Sequence, residues 1–175
     1  MRTPLILCAR ERGGPKTAQV ILEAGADDNL RDKFSDTALN LASWKGKKEV
    51  VDILMDKGAD IPSSGRDVYY LLSVAATNDL NRLFDAVVKK GGDPAFKLSN
   101  GGTLLHSAAA GGSTKIIDLL VGKGLEINLK DNYGWTPLHY AARDGRIEAV
   151  KETNRCRSRD RSSQHNGAVS IKCCR

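Results

Sequence analysis

The sequence predicts an all-α repeat solenoid, built from short helix pairs that are joined by loops. A row of glycines recurs every 33 residues, at Gly25, Gly58, Gly91 and Gly124. A second row keeps the same period, with Gly46, Asp79, Gly112 and Gly145. An apolar cluster of the second helix of each pair repeats in phase with both rows. A fixed period of this length indicates stacked repeats, each of which contacts only its neighbours.

The first helix of each pair is predicted to begin after a threonine. Thr37, Thr103 and Thr136 each precede a short stretch that is rich in leucine and alanine. Threonine is a favourable N-cap because its hydroxyl accepts an unpaired backbone N–H. Pro137 suits the first helical turn, where its missing N–H costs nothing. The second glycine row then ends this helix.

The second helix carries one apolar stripe. Val50, Val51, Ile53 and Leu54 define it in one repeat, and apolar residues occupy the same positions 33 and 66 residues later. This spacing places the side chains on a single face of a helix. A helix pair of this size buries its stripe by stacking on a neighbour, and the first glycine row ends the helix at a left-handed position.

These repeats resemble the ankyrin family, whose phrase Thr-Pro-Leu-His-x-Ala-Ala marks a 33-residue unit. The phrase is complete at residues 136–142 and nearly complete at 103–109, with weaker copies from Thr37 and Thr3. The copy at residues 70–76 lacks the threonine. The resemblance covers about residues 3–150 and implies an ankyrin-like stack of about five helix-turn-helix pairs joined by hairpin loops.

We therefore predict an ankyrin-repeat domain over residues 1–155, in which the first and last copies are incomplete. The apolar pattern stops after Val150, and residues 156–175 are predicted to be a basic, disordered tail. Two explanations of this change stay open: a polar terminal cap, or an alternative exon or shifted reading frame. The first copy, which starts at Thr3, suggests an N-terminal truncation or an unusual cap.

The charge is concentrated at the C-terminal end. The chain carries a net charge of +6, and residues 151–175 supply +5 of it from seven Lys or Arg and two acids. No apolar run reaches the length of a membrane span, so we expect no membrane partner. The four cysteines show no disulfide framework, which favours a reducing compartment, and we expect an intracellular, cytoplasmic monomer.

The sequence predicts no enzyme, no cofactor and no metal site. No phosphate-binding glycine loop or metal-binding histidine pair is present. The spacing of Cys156, His165, Cys173 and Cys174 matches none of the usual zinc-ligand pairs. The resemblance implies that His106 and His139 are structural, each bonding the Thr hydroxyl of its own repeat and a backbone group of a neighbouring one.

The candidate binding residues are those that the fold does not require. In ankyrin-like stacks, the hairpin tips and the exposed end of the first helix form a concave binding face. The matching positions that we predict to bind a partner are Lys33, Phe34, Asp36, Trp44, Lys45, Arg66, Asp67, Tyr69, Asn78, Asn100, Asn132, Tyr133, Trp135 and Arg143. Exposed aromatic residues with interspersed arginine are typical of binding hot spots. Packing between adjacent hairpin tips is the alternative role, above all for Trp135.

Two functions follow from these features. The first is a non-enzymatic protein–protein interaction module or scaffold that binds a partner protein through the concave face. The second is a nucleic-acid or acidic-surface binder that acts through the Arg-rich C-terminal tail, above all the stretch at residues 155–163. Nucleic acid is the less favoured partner because residues 151–175 contain no aromatic residue that stacks on a base.

Overall fold

The computed structural model describes residues 3–165, and residues 157–165 by their backbone alone. Within this range the chain forms ten α-helices. The described residues contain no β-strand and one isolated β-bridge, between Lys97 and Thr103. The predicted all-α repeat architecture is confirmed.

The helices alternate between the first and second member of each pair. The first helices are α1 (Pro4–Arg10), α3 (Ala38–Trp44), α5 (Arg66–Thr77), α7 (Leu104–Gly111) and α9 (Pro137–Arg143). The second helices are α2 (Pro15–Glu23), α4 (Lys48–Asp56), α6 (Asn81–Lys89), α8 (Thr114–Gly122) and α10 (Ile147–His165).

The chain divides into two compact units. Among the described residues, one comprises residues 3–75 and 82–92, and the other comprises residues 76–81 and 93–165. In the first unit α1 packs on α3 and α2 packs on α4. In the second unit α7 packs on α9 and α8 packs on α10. Within each unit, like helices of successive repeats therefore lie side by side, as expected for stacked repeats.

The apolar stripes form the core of each unit. In the first unit Leu5, Leu39 and Leu54 are buried, and in the second Leu105 and Ile117 are buried. Burying a leucine or isoleucine side chain contributes about 1.5–3 kcal/mol. In α4 the predicted stripe is buried at Val50, Val51 and Leu54, whereas Ile53 is half-buried.

The threonine N-caps predicted from the sequence are present. The Thr37 hydroxyl oxygen accepts the Asn40 N–H, at 3.2 Å. Thr103 and Thr136 begin α7 and α9, and a histidine three residues later completes each capping box. These caps satisfy backbone N–H groups that a helix leaves unpaired at its start.

The second glycine row ends the first helices in a left-handed backbone conformation. Gly46, Gly112 and Gly145 have φ values of +66°, +83° and +66°. Asp79 occupies the same position in the third repeat with φ +54°. A left-handed conformation is strained for a residue with a Cβ, although Asp tolerates it better than most.

The third repeat departs from the predicted hairpin. Helix α5 begins at Arg66, whereas the first helices on either side begin directly after a threonine. Tyr70 stands where the other copies have that threonine, and Gly65, with φ +84°, comes directly before α5. Asp67 lies in the first turn of α5, where a carboxylate is favoured by the helix dipole. The helix therefore includes residues that the sequence analysis placed in a hairpin tip.

Helix α10 continues beyond the point where the apolar pattern stops. It buries Ala149, Thr153 and Cys156 on one face, and the Thr153 hydroxyl donates to the Ala149 carbonyl at 2.8 Å. Small side chains thus replace the larger apolar ones of α8. The division at residue 155 into a domain and a basic tail stays a prediction, and residues 166–175 lie outside the described part of the chain.

Candidate functional site

The predicted binding residues of the second repeat lie at the surface of the first unit. Lys33, Phe34 and Asp36 are in the loop between α2 and α3, while Trp44 ends α3 and Lys45 caps it. The Phe34 and Trp44 side chains are 63% and 56% exposed. Large aromatic residues exposed to this degree are candidate contacts for another molecule.

Asp32 organises the hairpin that presents Phe34. One carboxylate oxygen of Asp32 accepts the backbone N–H of Phe34 at 2.7 Å and that of Asp36 at 3.1 Å. The backbone N–H of Asp32 also donates to the Asp36 carbonyl at 2.9 Å. The sequence analysis missed Asp32, although its recurrence at Asp131, three periods later, is a signal for this role.

A lysine ammonium group lies over each exposed aromatic ring of this repeat. The Lys33 ammonium lies 4.7 Å from the centre of the Phe34 ring, and the Lys45 ammonium lies 4.4 Å from that of Trp44. These distances allow cation–π attraction. Lysine stems also cover apolar surface while the charge stays in water.

The third-repeat candidates lie in α5 and not in a hairpin tip. This corrects the expected placement of Arg66, Asp67 and Tyr69, since α5 begins at Arg66. The Asp67 carboxylate forms an ion pair with the Arg31 guanidinium of the preceding repeat, at 3.0 Å. The Tyr69 side chain is 43% exposed. Asn78 follows the end of α5 and is half-buried.

Asp36 is half-buried in the hairpin of the first unit. Burial raises the pKa of Asp36, and the nearby charges of Asp32 and Asp67 add to this effect. Asp32 itself accepts backbone N–H groups, and Asp67 pairs with Arg31.

The candidates Asn100 and Asn132 connect two successive hairpins of the second unit. The Asn132 N–H donates to the Asn100 carbonyl at 3.0 Å. The Asn100 side chain accepts the N–H of Gly102 at 3.1 Å. A Cβ atom on Gly101 would lie 2.2 Å from the Asn132 side-chain oxygen, so the glycine is required for this close approach. These two asparagines have a structural role here.

Asp131 organises the hairpin of the last repeat. One of its carboxylate oxygens accepts the N–H groups of Tyr133 and Trp135, each at 2.9 Å. The other oxygen accepts the Tyr140 hydroxyl at 2.7 Å, and this hydrogen bond raises the pKa of Tyr140. A buried side chain thus fixes the hairpin backbone to the first helix of the same repeat.

An aromatic and arginine cluster lies on this hairpin. The Trp135 and Tyr140 rings meet edge to face with centres 5.4 Å apart. The Arg143 guanidinium lies 4.9 Å from the Tyr140 ring centre and 5.6 Å from that of Trp135. Asp144 accepts two hydrogen bonds from Arg143, at 2.6 and 2.8 Å. These contacts join Trp135, Tyr140 and Arg143 into one cluster.

Tyr133 and Trp135 differ in their contacts. Tyr133 is the most exposed large aromatic side chain of the described residues, at 75%. Trp135 is 37% exposed and packs against His139 and Tyr140. Trp135 therefore combines a packing role within its own repeat with a partly accessible face.

His106 has the structural role that the resemblance implies. One ring nitrogen lies 3.1 Å from the Thr103 hydroxyl, and the other lies 3.1 Å from the backbone carbonyl of Trp135 in the next repeat. Burial lowers the pKa of His106, which favours the neutral ring. His139 makes the corresponding 2.7 Å contact with the Thr136 hydroxyl.

A charged cluster joins α10 to α8. Arg155 donates to Asp118 at 3.2 Å and to Glu152 at 2.8 Å through its Nε. The Cys156 thiol lies 3.6 Å from Glu152. Ligand atoms of Asp118, Glu152 and Cys156 lie within 4.8 Å of one another, and the Arg155 guanidinium forms ion pairs with both carboxylates. We therefore interpret the cluster as an ion-pair contact between helices.

Several sequence-based hypotheses fall outside the described side chains. The Arg-rich stretch beyond Arg155 and the cysteines at 173 and 174 belong to this group. His165 ends α10, and only its backbone is described.

None of the helices in the described part of the chain has the length and apolar character that crossing a membrane requires. A search of curated proteins finds no match to this sequence. A family profile described as ankyrin repeats (3 copies) matches residues 1–64 and 72–152. Proteins built from ankyrin repeats are generally protein–protein interaction modules. The match covers most of the chain and includes the capping residues Thr37, Thr103 and Thr136, and the chain belongs to the ankyrin-repeat family.

Proposed function

We propose that this chain is a non-enzymatic interaction module that binds a partner protein through hairpin and first-helix residues. The observation that carries this proposal is the exposure of three aromatic side chains to solvent. Phe34, Trp44 and Tyr133 are all more than half exposed, at positions that the helix core does not need. Rings of this kind supply large contact areas at a small cost in rotamer freedom.

The hairpins that carry these rings are ordered by internal hydrogen bonds. Asp32 fixes the backbone at Phe34, and Asp131 fixes the backbone at Tyr133 and Trp135. A surface that is ordered before binding loses less conformational entropy on association. This supports binding by a rigid surface rather than by a segment that folds on its partner.

Photo-cross-linking tests the proposal. A benzophenone amino acid is placed at position 34 or 133, and at the exposed control positions 57 and 123, which cap α4 and α8. After irradiation in cell extract, cross-linked proteins are identified by mass spectrometry. We expect one protein to be enriched from positions 34 and 133 over both controls. Equal yields from all four positions would contradict binding through the hairpins.

The Arg-rich tail offers a second candidate function, but its arginines beyond Arg155 lie outside the described side chains. Arg155 is paired with Asp118 and Glu152. Nucleic-acid binding through the tail requires a steep fall in affinity with rising salt. Deletion of residues 157–175 distinguishes the two functions, because it should abolish binding through the tail and leave the affinity for the cross-linked partner unchanged.

A further inference from the structure

The second repeat presents two lysine–aromatic pairs on one compact unit. We call the surface of Lys33, Phe34, Trp44 and Lys45 the lysine–aromatic surface. The ammonium groups lie 4.7 and 4.4 Å from the centres of the Phe34 and Trp44 rings. In each pair one face of the ring carries a positive charge, while the ring remains more than half exposed.

The positive charges of this surface lack carboxylate partners. Among the described residues, no Asp or Glu oxygen lies within 4.0 Å of the Lys33 or Lys45 ammonium groups. Three carboxylates lie nearby: Asp32 accepts backbone N–H groups, Asp67 pairs with Arg31, and Asp36 is half-buried. The charges that lie directly against the two rings are those of the lysines.

Charged side chains of both signs line a cleft in the same unit. It has a volume of about 540 Å³ and is formed by the loops after α2 and α4. Two cations, Arg31 and Lys90, line it together with one carboxylate, Asp60. The Lys90 ammonium donates to the Ile61 carbonyl at 3.1 Å, which leaves two of its protons for a further acceptor.

These observations define the chemistry of a complementary partner. A carboxylate placed on a lysine gains attraction that strengthens as the interface excludes water, whereas a basic partner meets repulsion. An apolar or aromatic side chain of the partner covers the rings at the same time. We propose that the lysine–aromatic surface binds an acidic segment of a partner protein that also carries aromatic or large apolar side chains. This rests on the proposed interaction function and adds the chemical class of the partner.

Synthetic peptides provide the probes for the test. One fluorescein-labelled peptide alternates glutamate and tyrosine, a second alternates glutamate and serine, and a third alternates lysine and tyrosine. Binding to the full chain is measured by fluorescence anisotropy at fixed ionic strength. The double variant Lys33→Gln/Lys45→Gln removes both charges and keeps both rings. The matched control Lys57→Gln/Lys123→Gln removes two exposed lysines elsewhere and has the same net charge.

We expect the wild-type chain and the control variant to bind the glutamate–tyrosine peptide with the same affinity. The Lys33→Gln/Lys45→Gln variant should bind it at least about 10-fold more weakly, as expected for loss of two interfacial charge contacts. The glutamate–serine peptide should also bind more weakly, because it leaves the rings uncovered.

Three results would overturn the proposal: equal affinity of both lysine variants, tighter binding of the lysine–tyrosine peptide, or no binding of the glutamate–tyrosine peptide up to its solubility limit. None of these results bears on the cross-linking yields from positions 34 and 133. If a partner is cross-linked at these positions but the chain does not prefer the acidic peptide, the interaction function stands. The acidic, aromatic class of partner is then excluded.

Discussion

The Ser113 hydroxyl donates a 2.6 Å hydrogen bond to the backbone carbonyl oxygen of Ala76, near the end of α5. One period later, the Arg146 guanidinium donates to the Ala110 carbonyl near the end of α7, at 3.0 Å. Two periods before Ser113, Lys47 reaches the end of α1. In these three repeats the residue after the second glycine row therefore satisfies carbonyl groups at the end of the preceding first helix, whereas Leu80 occupies this position in the third repeat and has no polar side-chain group.

Lys47 should be the most important of these contacts for the stability of the first unit. Its ammonium donates to the carbonyls of Cys8 at 2.8 Å and Gly13 at 2.9 Å, and also to that of Glu11. Hydrogen bonds from a charged donor contribute about 1.5–3 kcal/mol. We expect Lys47→Met to lower the free energy of unfolding by about 2 kcal/mol, measured by urea denaturation.

The exposed Lys57 supplies the control for Lys47. It caps α4 and lies away from the end of α1, so Lys57→Met should change the free energy of unfolding by less than about 0.5 kcal/mol. Similar effects of the two substitutions would show that the carbonyl contacts of Lys47 contribute little.

Asp79 should limit the stability of the third repeat. It holds φ +54° where the other described repeats of this row have glycine. Glycine adopts this conformation without a steric penalty, so Asp79→Gly should raise the free energy of unfolding by about 1 kcal/mol. The reverse change, Gly145→Asp, places a Cβ in open space at φ +66° and should lower it by a similar amount. A destabilising Asp79→Gly substitution would show that the side-chain contacts of Asp79, such as the 3.0 Å hydrogen bond from the Asn81 amide, outweigh the backbone strain.

Asp118 should make the stability of the second unit depend on pH. Burial, and then the adjacent Glu152 carboxyl, raises the pKa of Asp118 to about 6. The folded protein then holds this proton more tightly than the unfolded chain. The stabilising contribution is therefore complete below about pH 4 and is lost as the pH rises through about 6.

Asp118→Asn removes this titration while Glu152 and Arg155 remain. We expect the free energy of unfolding of the wild type, relative to the variant, to fall between about pH 4 and pH 7. Urea denaturation of both proteins across this range provides the measurement. A difference that stays constant, or that increases with pH, would show that Asp118 is an ordinary carboxylate in the folded chain.

Much of the fold could be predicted from local sequence, because a threonine marks the start of most first helices and glycines mark the helix ends. Thr37, Thr103 and Thr136 begin helices as predicted, and the glycine rows end them. The third repeat was the exception. Without a threonine at position 70, the start of α5 depended on Gly65 and the first helical turn, and the helix extended through the predicted hairpin tip.

The candidate site was less predictable because its contacts depend on side-chain geometry. The sequence suggested that Tyr133 and Trp135 are near the surface, but not that Asp131 binds the Tyr140 hydroxyl nine residues later. The pairing of Arg155 with Asp118 joins residues 37 positions apart, and neither has a local signal. The lysine contacts of Phe34 and Trp44 likewise depend on rotamers that the sequence does not specify.

The most direct test of the interaction function compares two double variants for affinity to the cross-linked partner. Trp44→Ala with Tyr133→Ala removes exposed rings from both units, while Lys57→Ala with Lys123→Ala changes exposed residues that cap second helices. Calorimetric titration gives the dissociation constant of each variant, and circular dichroism checks that the helices persist. We predict that the aromatic variant loses about 2 kcal/mol or more of binding free energy and that the lysine variant binds like the wild type. Unchanged binding by the aromatic variant, with its helices intact, would contradict binding through the hairpin and first-helix residues.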